Sequence, residues 1–205
     1  KPLIIFSAPI MLANLLQTSF QIVDSLWVGN ILGAEALGAV AISTTILVTI
    51  LSFILGLNNA ALTILSQQHG RKDDEGLKRY LNAFIVIMTL MSVVFAVIGY
   101  IFAESLLGII GTPDAILDMA ASYLEISLLG MFFLFGYNFI NTVFRALGDS
   151  KTPLRIVFIA VILNAILAPV FMIVLDLGIE GAAMATVGSQ AIAFLYSVYL
   201  AVKRK

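Results

Sequence analysis

"LIIFSAPIMLANLLQTSFQIVDSLWV" occupies residues 3–28 and contains a single ionisable side chain, Asp24. One membrane crossing needs roughly 20 apolar residues, so this stretch reads as a transmembrane helix. The same reading makes Asp24 costly. An ionised Asp at the centre of a bilayer helix is unfavourable by about 2.5–3.5 kcal/mol on insertion scales, and such residues face polar cavities rather than lipid.

The rest of the chain extends the pattern. Apolar residues make up 61% and charged residues 11% of its 205 positions, and the mean hydropathy is +1.08. That balance excludes a soluble core with a solvated surface and implies an all-α polytopic membrane protein. Breaks in hydrophobicity predict one lobe of six spans, at about 3–28, 36–65, 81–103, 117–144, 153–174 and 181–202. The second and fourth runs exceed the bilayer core and are expected to tilt or project. The chain starts Lys-Pro rather than Met, and its first apolar segment spans rather than forming a cleavable signal, so a trimmed start is expected.

Charge placement sets an expected orientation. Lys1, Arg71, Lys72, Lys78, Arg79, Arg145, Lys151, Arg155, Lys203, Arg204 and Lys205 all fall at one end of the six-span scheme. The opposite loops hold Glu35, Glu104, Asp114, Asp118, Asp176 and Glu180 without Lys or Arg. By the positive-inside rule the basic side, with both termini, is cytoplasmic, and the expected location is the plasma membrane. An even number of spans means that a second copy in the same chain would be parallel to the first. Within the chain, "LGAEALGAVA" (32–41) resembles "LGIEGAAMAT" (177–186), each joining two helices on the acidic side; common ancestry and simple close packing of small residues both explain the match.

Polar residues inside the spans form stripes. At 100° per residue, Asn14, Gln17, Gln21 and Asp24 fall within an arc of roughly 80° on the first helix. The fourth span places Tyr123, Ser127, Gly130, Asn138, Asn141 and Arg145 in a comparable arc, and the sixth Thr186, Gln190 and Ser197. The fifth carries Asn164 and then Pro169, which leaves the carbonyl of Ala165 without its usual donor. Amides and hydroxyls of this kind can simply bind helix to helix. Asp24 differs, because amide partners do not remove the cost of its charge and no Lys or Arg lies at its depth. Burial disfavours the charged form, which suits a reversible proton or Na⁺ site; a static hydrogen-bonded acid is the other reading.

Several functions find no residues. Cysteine is absent, so disulfides and thiol chemistry are excluded. No P-loop, metal-ligand cluster or nucleophile triad is visible, so neither an enzyme nor an ATP-driven pump is expected. No nucleic-acid partner and no cofactor beyond a coupling ion is implied. His69 lies in a charged loop and suits a solvated role. Asn58 and Asn59 fit either a cavity lining or backbone satisfaction in a Gly-loosened helix.

"VDSLWVGNILGAEALGAVAI" (23–42), "RALGDSKTPL" (145–154) and "LGIEGAAMATVGSQ" (177–190) resemble signatures of the multidrug and toxic compound extrusion (MATE) transporters, in their amino-terminal half. The resemblance covers essentially the whole chain, and the "RALGDSKTP" loop is its most specific part. It implies one lobe of a 6+6 architecture and export of diverse, often cationic organic compounds, driven by H⁺ or Na⁺ entry. It further implies a cation-responsive site at Asp24, Tyr123, Asn141, Asn164 and Thr186, and we expect Gln17, Gln21, Asn138 and Gln190 to line the cavity. One position departs: where the family commonly has Asn-x-x-x-Asp-Pro, this chain reads "NAILAP", with Ala168 in place of the acid. Either the chain works with Asp24 alone, or Ala168 is an introduced substitution that disables or traps one state.

The resemblance also implies that a carboxy-terminal lobe, or a homodimer imitating it, completes the central cleft. The competing reading is a non-transporting membrane scaffold whose polar stripes only specify packing.

Overall fold

The computed structural model describes residues 2–203. Lys1, Arg204 and Lys205, three of the basic residues used for orientation, lie outside the described residues. The chain is helical almost throughout: α1 (Pro2–Leu32), α2 (Ala34–Arg71), α3 (Asp74–Ile109), α4 (Asp114–Leu129), α5 (Met131–Ala146), α6 (Lys151–Pro169) and α7 (Gly178–Lys203), with a π-helical turn, Val170–Val174, extending α6. Five helical segments are long and apolar enough to cross a bilayer, and α4 with α5 supplies a sixth crossing if counted as one bent span.

The fourth span is where the structure departs from the expected straight helix. At Gly130 α4 gives way to α5, and the two axes meet at 50°. Gly130 is pressed against α7, where a Cβ would strike the Val187 side chain. The missing side chain therefore lets α7 approach at the bend. A stripe drawn over 117–144 as one helix loses its phase there. The second and third helices also run beyond the spans expected from hydropathy, α2 to Arg71 and α3 from Asp74.

The turns have local causes. Gly33, at φ 90°, is the one residue between α1 and α2. On the basic side, Gly148 takes φ 83° and Asp149 accepts hydrogen bonds from the Lys151 and Thr152 amides, both at 3.0 Å, and from the Thr152 hydroxyl at 2.6 Å. These bonds satisfy donors at the start of α6 that have no intrahelical partner, which gives the "RALGDSKTP" loop a structural reason. The 32–41 and 177–186 segments open α2 and α7 alike, each with a positive-φ glycine and a glutamate in the first turn.

Packing joins α1 to α6, α6 to α7, and α2 and α3 to both α4 and α5. The largest apolar cluster lies among α2, α3, α4 and α5, centred on Ile54, Leu65, Leu107, Leu124, Leu128 and Phe135. The Ser43 hydroxyl adds a buried bond of 2.9 Å to the carbonyl of Ala120, tying α2 to α4. α1 is the least covered helix. Within it Ala13, Asp24 and Val28 are buried, whereas Leu3, Ile4, Met11, Leu15, Ile22 and Leu26 are exposed. Exposed apolar side chains at membrane depth suit lipid or a neighbouring helix, so this exposure does not destabilise the fold as it would in water.

Candidate functional site

Asp24 lies inside the bundle. It is 6% exposed although its helix is otherwise open, because its face of α1 meets α4, α6 and α7. The Tyr123 hydroxyl donates to Oδ2 at 3.4 Å, a long bond. Asn164 and Thr186 also stand beside the carboxyl. The Asn164 amide donates to the Thr186 hydroxyl at 3.2 Å, and that hydroxyl donates in turn to the carbonyl of Ala182 at 3.2 Å. Asn164 is fully buried, and its Oδ1 and the Oδ1 of Asp24 have no hydrogen-bond partner.

Two unpartnered oxygens at one place are informative. Buried acceptors without donors cost free energy comparable to a lost hydrogen bond. A proton on Asp24 would remove its charge, and a small cation would give both oxygens a positive partner.

The carboxyl opens on a cavity of about 400 Å³ in the half of the bundle nearer the acidic loops. Gln17, Gln21, Tyr123, Thr186 and Gln190 line it with Asp24, and Val40, Leu47 and Leu51 of α2 supply much of its apolar wall. No Lys or Arg is among the lining residues, so the acid has no resident counter-ion there. Mostly apolar walls with a few convergent polar groups are typical of small-molecule sites.

Two expected residues are not brought to this site. Asn138 and Asn141 lie beyond the Gly130 bend and do not line the cavity. The amide of Asn138 donates to the Leu134 carbonyl at 2.8 Å, whereas Asn141 stands beside the Tyr137 hydroxyl toward the basic end. At 1.5 Å per residue they stand more than about 20 Å beyond Tyr123 along the span, so sharing a face with it does not bring them to its depth, and the bend at Gly130 turns their half of the span away as well. Conversely, Ser25, Thr44, Ser127 and Phe20 line the cavity without having been assigned to it. Ser127 was legible as part of the Tyr123 stripe. Thr44 sits in a Ser-Thr-Thr run that reads equally well as helix packing.

Ala168 is fully buried, in one cluster with Val28, Val40, Tyr123, Met172 and Ala182. Its methyl group therefore completes the apolar packing behind the site. Immediately afterwards Pro169 withholds a backbone donor, and the ladder slips to i−5, with the Leu175 amide bonding the Val170 carbonyl at 3.1 Å. Gly181 lets α7 approach this turn, since a Cβ would come within 2.8 Å of the Phe171 carbonyl. α1 runs through Pro9 as one continuous helix. Of the paired asparagines on α2, Asn58 is buried with an unpartnered Oδ1, and Asn59 is exposed, its carbonyl accepting from Thr63 at 2.9 Å. His69 is exposed, and among the described residues no group of three or more His, Cys, Asp and Glu side chains could hold a metal ion.

Comparison with known proteins follows the same residues. The MatE family model matches residues 9–170. The probable multidrug resistance protein YpnP of Bacillus subtilis is 57% identical over all of this chain and 46% of its own length. The probable multidrug resistance protein YoeA of the same organism is 34% identical over 98% of the chain and 44% of its own. A crystal structure of MATE in the bent conformation superposes on the whole chain with a TM-score of 0.93 at 26% identity, covering 46% of that protein. The chain spans about half the length of the curated relatives it matches.

Proposed function

The chain belongs to the MatE family of multi-pass membrane transporters, and on that premise we propose that it forms one lobe of a secondary active exporter of small organic compounds, with Asp24 as the coupling acid. One observation carries the reading: a buried carboxylate without a cationic partner opens on a cavity inside a membrane span, with an unpartnered oxygen of its own and that of Asn164 behind it. In this reading the coupling ion, H⁺ or Na⁺, binds at Asp24 with Asn164, Tyr123 and Thr186 around it. Gln17, Gln21 and Gln190 meet the transported compound, and the apolar α2 wall accepts its hydrocarbon parts. Asn138 and Asn141 take no part in ion binding.

Ion binding neutralises Asp24 and removes the reason for its pocket to stay hydrated. α1, already the least packed helix, then repacks against α6 and α7, and the cavity shrinks and releases its occupant. The π-helical turn after Pro169 is a compliance point, since such turns interrupt the regular ladder. The switch requires that the ion prefer one of the two arrangements. The basic side, with both termini, faces the cytoplasm by the positive-inside rule, and the plasma membrane is the site of action. A second lobe, contributed by the same polypeptide or by another copy, closes the cleft.

The test is efflux by the full polypeptide in vesicles under imposed pH or Na⁺ gradients. Asp24→Asn is expected to abolish the gradient dependence while leaving expression and membrane insertion intact. The gradient that drives the unsubstituted protein identifies the ion. Unchanged coupling in the variant overturns the assignment.

A further inference from the structure

The bundle has a second cavity with a different character. It is a groove of about 660 Å³ between α3, α5 and α7, walled by Leu81, Ile85, Met88, Phe139, Val143 and Val198. Phe132 of α5 and Phe194 of α7, ring centroids 5.6 Å apart and edge to face, lie at its mid-membrane end. Gly136 lets the Phe194 ring lie against α5 at that end, because a Cβ there would strike it.

Its place in the membrane is defined by the helices that line it. Along α3 the lining runs from Leu81 to Ser92, which at 1.5 Å per residue is about 16 Å. One leaflet of a roughly 30 Å hydrocarbon core has about that depth. Leu81 is near the basic end of α3, and Ala201 and Val202 are at the basic end of α7, so the groove occupies the leaflet on the basic side. Its rim is open: Ile85 is 45%, Phe132 41% and Val202 61% exposed. Unfilled, the lining side chains would lack dispersion partners on one side. At that depth, facing the bilayer, the available partner is a lipid chain.

Charge at the mouth selects the head group. At 100° per residue, Lys78, Leu81, Ile85, Met88 and Ser92 fall within an arc of roughly 80° on α3, so Lys78 continues the groove's own stripe out of the hydrocarbon. Lys78 is exposed, as are Arg79, Lys151 and Lys203 at the same end of the bundle; Asp73, Asp74 and Glu75 are exposed there too, with Asp74 one turn further out on the stripe of Lys78, so Lys78 is the charge on that stripe nearest the hydrocarbon. The groove's one lining acid, Asp149, directs both carboxylate oxygens at the start of α6. Cationic side chains at the surface of an anionic leaflet are attracted to its head groups.

We propose that this groove holds one phospholipid of the basic-side leaflet, an acyl chain lying between α3, α5 and α7 and an anionic head group at Lys78. The site is separate from the Asp24 cavity and needs the membrane placement of the bundle and a groove face that the second lobe leaves open to the bilayer. It gives the lobe a lipid-filled wedge at the bend-forming α5, on the face where α7 packs.

Native mass spectrometry of the full polypeptide, released from micelles supplemented with phosphatidylglycerol or with phosphatidylcholine, tests the assignment. One phospholipid should survive activation that strips the rest, with phosphatidylglycerol retained several-fold better. Thr89→Trp combined with Val143→Trp fills the groove and should remove that lipid, whereas Val97→Trp, on α3 outside the groove, should keep it. Lys78→Ala should keep a bound lipid and lose the preference for phosphatidylglycerol. In the unsubstituted protein, a phospholipid with a photoreactive acyl chain should cross-link to peptides covering residues 81–92 and 139–147. The proposal is overturned if no lipid survives activation, if the groove-filled variant retains it, if Lys78→Ala keeps the preference, or if cross-links spread evenly over α1.

Discussion

α4 and α5 divide one apolar span at Gly130, and each half carries a buried tyrosine. Tyr123 of α4 points its hydroxyl at Asp24, while Tyr137 of α5 lies in an apolar cluster with Ile156, Val157 and Ala160 and has Asn141 beside it. The residue types are alike, but the surroundings are not. Near Tyr123 there is a carboxylate, a cavity that Tyr123 and Asp24 both line, and an unpartnered oxygen on each of two side chains. Near Tyr137 the Asn141 Oδ1 is likewise unpartnered, but there is no carboxylate, and the other neighbours are helix-packing side chains. A polar group buried in a membrane bundle therefore marks a reactive site when a charge and a cavity accompany it, and marks packing when they do not.

Substitutions can break or sharpen this contrast. The largest expected effect is at Asp24: Asp24→Asn should eliminate gradient-driven efflux, whereas Asn141→Ala should leave the ion dependence in place, both read in the same vesicle assay. Next is Ala168→Asp, which puts a second carboxyl into the cluster that holds Tyr123. If the α6 acid of the wider family acts with Asp24, cation dependence should strengthen, and the two acids should titrate as a pair. Unaltered transport with a lower melting temperature would show that this lobe works with Asp24 alone.

Gly130→Leu probes the bend itself. The new side chain meets Val187, and overpacking of this kind typically costs about 1–3 kcal/mol, so a lower thermal midpoint in detergent is expected. The smallest effects separate the two tyrosines. Tyr123→Phe removes a hydrogen bond to a charged group and should change the half-maximal cation concentration for efflux by up to about tenfold. Tyr137→Phe should cost on the order of 1 kcal/mol of stability and leave that concentration unchanged. Equal shifts in the two variants would erase the distinction between the halves.

Much of the Asp24 site was legible because charge inside an apolar run is rare. Asp24, Gln17 and Gln21 share a face of α1 by helical periodicity alone, and α1 has no break to spoil the count. Thr186 and Gln190 are legible on α7 for the same reason. A shared stripe and the family resemblance group Asn138 and Asn141 with this site, but the structure does not bring them to the Asp24 cavity, because they lie 15 and 18 residues beyond Tyr123 and past the 50° bend at Gly130. The glycine was visible as a member of the stripe, but its role depends on Val187, which lies far away in sequence. The α2 wall was missed because Val40, Leu47 and Leu51 are ordinary apolar residues, and only their neighbours make them a lining.

By itself the sequence determined that the protein is a bundle of membrane helices with one basic and one acidic side. Hydropathy and charge are sums over local residues, and the bilayer reads them without reference to tertiary contacts. Which polar groups meet, and which oxygens are left without partners, was decided only by the tertiary structure. Those outcomes depend on a bend of 50° at Gly130, a ladder slipped at Pro169 and two helices brought close by small residues, and each involves atoms from distant segments.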